Sequence, residues 1–195
     1  MANKSSFVKV VLNLVRFSHT HVFEKHAFDD KDDPKYRVVA IIDKDDVKVV
    51  KTVESAIAQC MAENIQGVFG GTKPVGWDSP LHDGDDPKKN KKEDPNLNGC
   101  YYMNTKSDTK PKVVTSHDRV NPVNDPDVFY AGCYGAISLT FFAYNTAGKE
   151  GIGVWVNSIM KIREGERLGN LSDPEADFAD VELPEDEDFD PNSLM

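Results

Sequence analysis

The sequence predicts a mostly β domain, five or six strands with one helix in the middle, followed by an acidic tail. Three observations predict it. Several segments rich in β-branched and aromatic residues alternate in polarity. One central stretch repeats its apolar residues at three- and four-residue spacing. The residues from 173 onward hold ten acids and no Lys or Arg.

Residues 7–17 (FVKVVLNLVRF) read as a long strand, with Val8, Val10, Leu12 and Leu14 on one face and Lys9, Asn13 and Phe17 on the other. A polar loop at 29–34 leads to a second, β-branched strand at 36–42. Asp45 or Asp46 can cap a helix running to about Gln66, where Val50, Val53, Ile57, Cys60, Met61 and Ile65 form one stripe and Gly67 is the stop. Residues 70–99 read as loop, broken by Gly and Pro, with a basic run at 88–92 (KKNKK) on an exposed tip. Strands resume at 100–106, 111–114, 136–144 and 152–163, and 145–151 reads as the hairpin loop between the last two. The order resembles a small Greek-key barrel of the OB type, whose strand face and loops bind oligonucleotides. The expected division is a barrel domain over 1–170 and a disordered acidic tail over 171–195.

A net charge of −10 argues against a nucleic-acid partner until its placement is considered. Setting aside the ten acids from 173 onward leaves 23 acids against 23 Lys and Arg, so the body is neutral. Blocks of like charge repel, stay extended and serve as interaction tails. Three widely spaced cysteines, with no CxxC, argue against a zinc site and a disulfide framework and for a reduced, cytoplasmic setting. No apolar run reaches membrane-spanning length, and the N-terminus lacks the apolar core of a secretory signal. No metal or cofactor is expected.

Strand parity nominates a single-stranded nucleic-acid face. In the last strand Ile152, Val154, Val156 and Met160 would point one way, and Trp155, Asn157, Ile159, Lys161 and Arg163 the other. Tyr102, Asn104 and Lys106 share a face by the same rule, and Arg16, Phe17 and Arg37 extend it from the first two strands. Lys110, Lys112, Arg119 and the KKNKK run would add phosphate contacts. Aromatic rings stack on any base at roughly 1–3 kcal/mol each, and phosphate contacts carry no sequence information. Each aromatic has a competing structural role, packing on the helix or across a homodimer.

Enzyme readings are weaker. Residues 70–73 (GGTK) lack the spacing of a phosphate-binding loop, and Pro74 disfavours a helix directly after them. His19 and His21, with His26 nearby, could approach a metal, but polar residues at a strand end are the simpler reading. Asp83, Asp85 and Asp86 could form a nuclease carboxylate cluster, yet no third partner is evident and Asp-Gly favours a turn.

Three stretches carry a family resemblance: 80–85 (PLHDGD), 129–136 (FYAGCYGA) and 151–169 (GIGVWVNSIMKIREGERLG). With the first strand, helix and acidic tail in the same order, the chain resembles phage-encoded single-stranded DNA-binding proteins of an OB-fold family formerly catalogued as a domain of unknown function. The resemblance covers nearly the whole chain. It implies a non-enzymatic protein that protects exposed strands in phage DNA replication or recombination, in the cytoplasm of the infected bacterial host. Lys161 and Arg163 fall inside a matching motif. The resulting expectation is a barrel holding single-stranded DNA, with a tail that competes for the same face and recruits phage replication proteins. The tail positions that would meet such partners are Asp186, Glu187, Asp188, Phe189 and Asp190. The alternatives are a protein-interaction module whose tail mimics DNA, and a metal-dependent nuclease.

Overall fold

The computed structural model describes residues 5–27, 32–146 and 148–169. The acidic tail from 171 onward, with its competing and partner-binding positions, lies outside the described residues. Among them are seven strands and one α-helix: β1 (Phe7–His26), β2 (Lys35–Asp43), α1 (Val47–Asn64), β3 (His82–Asp83), β4 (Cys100–Ser107), β5 (Lys112–Thr115), β6 (Tyr134–Thr146) and β7 (Lys149–Arg163). Five close a ring in the order β4-β2-β1-β6-β7, sealed by a parallel pairing of β7 back onto β4 at Lys106 and Trp155. This is the Greek-key, OB-type barrel expected from the sequence. The short β3 lies antiparallel on β4, and β5 runs parallel beside β7.

The first strand is longer than its sequence pattern suggested, because a barrel strand must bend. Single-residue insertions bend it at two places, and three further residues are extra against β2 between His21 and His26. Between Leu12 and Val15, β1 carries one residue more than β6, and Leu14 adopts a positive φ of 55°. Between Ser18 and His21 it carries one more than β2, and His19 sits at φ 48°. Each bulge flips side-chain parity. Val8 and Leu12 point inward before the first bulge, Val15 and Phe17 between the two, and Val22 after the second. Phe17 is thereby moved from the outer face to the core, fully buried with its ring edge-on to Phe129 at 5.0 Å. Leu14, expected inside, is exposed.

β7 has the same device. Leu139 pairs with Val156 and Ser138 with Ser158, so Asn157 is one extra residue; Gly135 pairs with Lys161 and Tyr134 with Arg163, so Ile162 is a second, and it returns Arg163 to the outside. Ile152, Val154 and Val156 face the core before Asn157, and Ile159 and Lys161 after it. The single-face assignment of Trp155, Asn157, Ile159 and Lys161 is therefore corrected: the Asn157 bulge turns the last two inward. The hairpin into β7 is also tighter than expected, with pairing running out to Thr146 and Lys149.

Helix α1 starts where Asp46 accepts the Val49 N–H at 3.1 Å. It packs Val49, Val53, Ala56, Ile57, Cys60 and Met61 into the same core as the inward residues of the barrel. Burying each of Val49, Val53, Ile57 and Met61 contributes about 1.5–3 kcal/mol, which makes the helix part of the barrel rather than an appendage. The helix ends at Asn64, before the expected Gly67. The fully buried Asn64 amide clips the start of β1, accepting from Ser6 N and donating to Ser6 O. No helix among the described residues is long and apolar enough to cross a membrane.

The segment before β6 and the segment after β7 press backbone to backbone. A Cβ on Gly132 would stand 1.9 Å from the Glu166 carbonyl oxygen, and one on Gly165 would stand 2.1 Å from the Gly132 oxygen. Leu168 N–H donates to Ala131 O at 2.8 Å across this contact. Gly132 also holds φ 114°, a conformation side chains resist. Gly132→Ala is expected to cost about 3 kcal/mol or more through overlap and backbone strain, seen as a markedly lower melting temperature in thermal unfolding.

Candidate nucleic-acid interface

The outer surface of β1, β2 and β4 forms a grid fixed by register. Arg16 pairs with Ile41, which pairs with Tyr102; Ser18, Val39 and Asn104 form the next row; His21, Arg37 and Lys106 the third. The third row continues through barrel closure. Lys106 pairs with Trp155, Trp155 with Thr140, and Thr140 with Lys9. Arg37, Lys106 and Trp155, spread over more than a hundred residues of chain, thus lie side by side on three adjacent strands. Asn157, on its bulge, stands next to Trp155 and donates to Thr140 Oγ1 at 2.9 Å.

Trp155 is held by rings. Phe142 stacks on it at 4.2 Å and 21°, and Phe7 lies tilted at 5.5 Å. Phe7 is 56% exposed, so the ladder ends in an open aromatic face. Strand parity in the sequence does not single out Phe7 or Phe142. Phe7 opposes Phe142 in register, two residues along from the Lys9–Thr140 pair, and that pairing was the signal that could have found them. Trp155, Asn157 and the 107–110 turn line one groove of about 480 Å³.

The segment after β3 folds back over the middle of the grid. Leu97 packs on Ile41 and Tyr102 as a small second core. Tyr102 is buried beneath it, and its hydroxyl donates to Lys89 O at 3.0 Å. Burial, with the Asp86 charge, pushes its phenol pKa up. This corrects Tyr102 as an open stacking surface: it supports the loop instead. Lys89, Lys91 and Lys92 overhang Ser18, His19, Val39 and Asn104 and enclose a groove of about 320 Å³. A neighbouring groove shares Ser18, His19 and Asp94 and reaches Leu168 and Gly169.

At the far end of the grid a second basic cluster surrounds two tyrosines. Arg163 lies 4.3 Å from the Tyr134 ring centre, with Arg16 at 5.7 Å on the same ring. Arg16 is aimed by its bonds to Gly132 O and Glu166 O. Arg167 lies 4.1 Å from Tyr130. Lys161 is different. It is buried, donates to Glu164 Oε1 at 2.5 Å, and lies 5.0 Å from the Tyr130 ring. The Lys161 bond, and then that of Tyr130, hold the Glu164 carboxyl below its usual range. Lys112 is exposed on β5, opposite Ser158.

The acidic and histidine groups singled out in the sequence have other uses. Asp83 and Asp85 both accept from Lys44. His21 stacks flat on His26 at 4.0 Å, while the bulge sets His19 apart with its ring nitrogen against Ser18 Oγ. Burial first, then the neighbouring His26, His19 and Arg37, lower the His21 pKa. Among the described residues no three His, Cys, Asp or Glu side chains group as metal ligands.

A family model described as Enterobacter phage Enc34, ssDNA-binding protein, matches residues 8–189. The chain belongs to this family. It is similar to the single-stranded DNA-binding protein from bacteriophage Enc34 in complex with ssDNA, with 21% identity, a TM-score of 0.67, and coverage of 87% of this chain and 95% of that one. A C-terminal truncation of the Enc34 protein gives 20% identity and a TM-score of 0.64, covering 86% of this chain and 94% of that one. Protein p50 of Acyrthosiphon pisum secondary endosymbiont phage 1 is 23% identical over 190 residues, 93% of this chain and 98% of that protein. In this member of the Enc34 family, the two motif segments 129–136 and 151–169 meet at the Gly132–Gly165 contact, and Lys161 lies inside that packing.

Lys161 therefore serves the fold more than the surface. Lys161→Ala is expected to lower stability by about 1–2 kcal/mol through lost packing of its stem. Lys161→Met should recover most of it, as thermal unfolding would register.

Proposed function

We propose that this member of the phage single-stranded DNA-binding family holds its strand across the outer surface of β2, β4 and β7, without sequence preference. The observation that carries the reading is the register row Arg37–Lys106–Trp155. It places the exposed Lys106 beside an aromatic ladder, with Arg37 behind it held by the Asp32 carboxylate and the His26 carbonyl, and a cation next to stacked rings suits phosphates and stacked bases together. The second and third barrel strands of OB-type domains form the surface that takes oligonucleotides, and these are β2 and β4 here. The lysine loop roofs that surface on one side. Arg16 and Arg163 extend it along the strands, and Lys112 flanks it on β5.

The acidic segment supplies regulation in this reading. The last described residues, Leu168 and Gly169, line the groove contiguous with the one beneath the lysine loop. A polyanion attached there starts at the rim of the basic surface, and tethering gives it a local concentration of order mM. It competes with DNA and, once displaced, is free to recruit replication proteins of the phage through the acids around Phe189. In this reading the protein protects exposed strands in phage replication and recombination.

Fluorescence anisotropy with an oligo-dT tests the surface. Lys106→Ala should weaken binding and reduce the slope of log K against log salt by about 0.7, the value for one lost phosphate contact on a single strand. Trp155→Ala should cost about 1–3 kcal/mol with the slope unchanged. Wild-type affinity in both variants would move the site elsewhere. Removing residues 171–195 should tighten binding most at low salt, where charge competition is least screened. Equal or weaker binding by the shortened chain would remove the competing role of the tail.

A further inference from the structure

The lysine-bearing segment is built as a bracket, and its base is the Asp-Gly-Asp of residues 83–85. Lys44, just past β2, donates from Nζ to Asp83 Oδ1 at 2.5 Å and to Asp85 Oδ2 at 2.6 Å. The other Asp85 oxygen accepts the Gly99 N–H at 3.0 Å, and the Lys44 backbone N–H donates to Gly99 O at 3.1 Å. One cation thus ties together both ends of the segment 83–99. Both carboxyls are held below their usual range, first by the hydrogen bond from Lys44. Between them, a Cβ on Gly84 would stand 2.1 Å from Leu97 O, so the two ends approach as closely as backbone allows.

The interior of the bracket is tied as well. The Asn90 side chain is buried within the basic run itself. Its Nδ2 donates to Gly84 O and Asp94 O, each at 3.1 Å, and its Oδ1 accepts the Asp94 N–H at 2.9 Å. Lys88 and Lys89 precede this knot and Lys91 and Lys92 follow it, so its geometry sets where the run stands over the strands.

We propose that Lys44, Asp83, Asp85 and Asn90 are positioning residues for DNA, holding the lysine run in place over the β2–β4 face before the strand arrives. The inference rests on the DNA-binding reading of that face. A pre-ordered loop spares the ordering cost that a free one would meet on binding. It also gives two carboxylates close to a polyanion site a favourable effect, the reverse of what their charge alone dictates.

That reversal is the test. In the full-length chain, affinity for a fluorescent oligo-dT is measured for Asp83→Ala with Asp85→Ala, for Asn90→Ala, and for Lys44→Met, with thermal unfolding to verify each fold. Charge alone orders them as tighter, unchanged and weaker. Positioning makes all three weaker by a similar factor, roughly tenfold. The same substitutions are then made with Lys88, Lys89, Lys91 and Lys92 changed to Gln. In that background the aspartate pair no longer weakens binding, since there is no lysine run left to hold. Should the aspartate pair tighten binding in the native background, or Asn90→Ala leave it unchanged while the glutamine loop weakens it, the clamp is overturned and the groove stands. Wild-type affinity and salt slope in the glutamine loop itself would overturn the groove reading together with the clamp. If the double aspartate variant does not fold, Asn90→Ala and Lys44→Met carry the comparison, because charge assigns them different outcomes and positioning the same one.

Discussion

Closing five strands into a narrow ring forces the longest of them to bend, and this chain bends by inserting single residues. Asn157 and Ile162 in β7 and the bulges near Leu14 and His19 in β1 are such insertions. Each keeps the hydrogen-bonded ladder on both sides while exchanging inside for outside. Which residues of β1 and β7 lie inside and which outside depends on them. They bury Phe17 and Lys161, expose Leu14, and leave Trp155 outward beside Lys106. The unbulged strands β2 and β4 pair residue for residue from Tyr36–Ser107 to Asp43–Cys100, and their parity is what the sequence pattern implies.

The motif segments owe their character to a second constraint, the contact between the chain entering β6 and the chain leaving β7. Glycines at 132 and 165 permit it, and Tyr130 bonds across it to both Glu164 and Gly165. A packing junction of this kind restricts sequence as tightly as a ligand site does. Lys161 belongs to the junction, whereas Arg163 and Arg16 emerge from its edge around Tyr134. The same junction delivers the chain at Leu168 to the rim of the basic groove, which links the packing of the body to the place where the acidic segment begins.

The proposed binding surface is composite. Its cations and rings come from β1, β2, β4, β6, β7 and a lysine-rich loop, and no single strand carries enough charge to mark a nucleic-acid site. Local concentration of cations on one side of a neutral body is sufficient, because phosphate contacts act over about a Debye length rather than through net charge. The surface ion pairs that fix the loop contribute little each in water, and their effect comes from geometry shared among Lys44, Asp83, Asp85 and Asn90.

The sequence alone determined the class of fold, the place of the helix, the neutrality of the body and the family resemblance. These are properties of local periodicity, composition and linear motif, which a chain carries before it folds. It also marked Arg37, Lys106 and Trp155 as surface candidates, since no bulge precedes them within their strands after the segment's inward residues are set. Only the tertiary structure decided that these three adjoin, that Tyr102 lies under a loop, that Phe17 and Lys161 are inside, and that Asp83 and Asp85 grip a lysine. The reason is physical. A bulge is specified by the pairing of two strands rather than by the bulged strand's own residues, and the Lys106–Trp155 neighbourhood exists only once the barrel has closed.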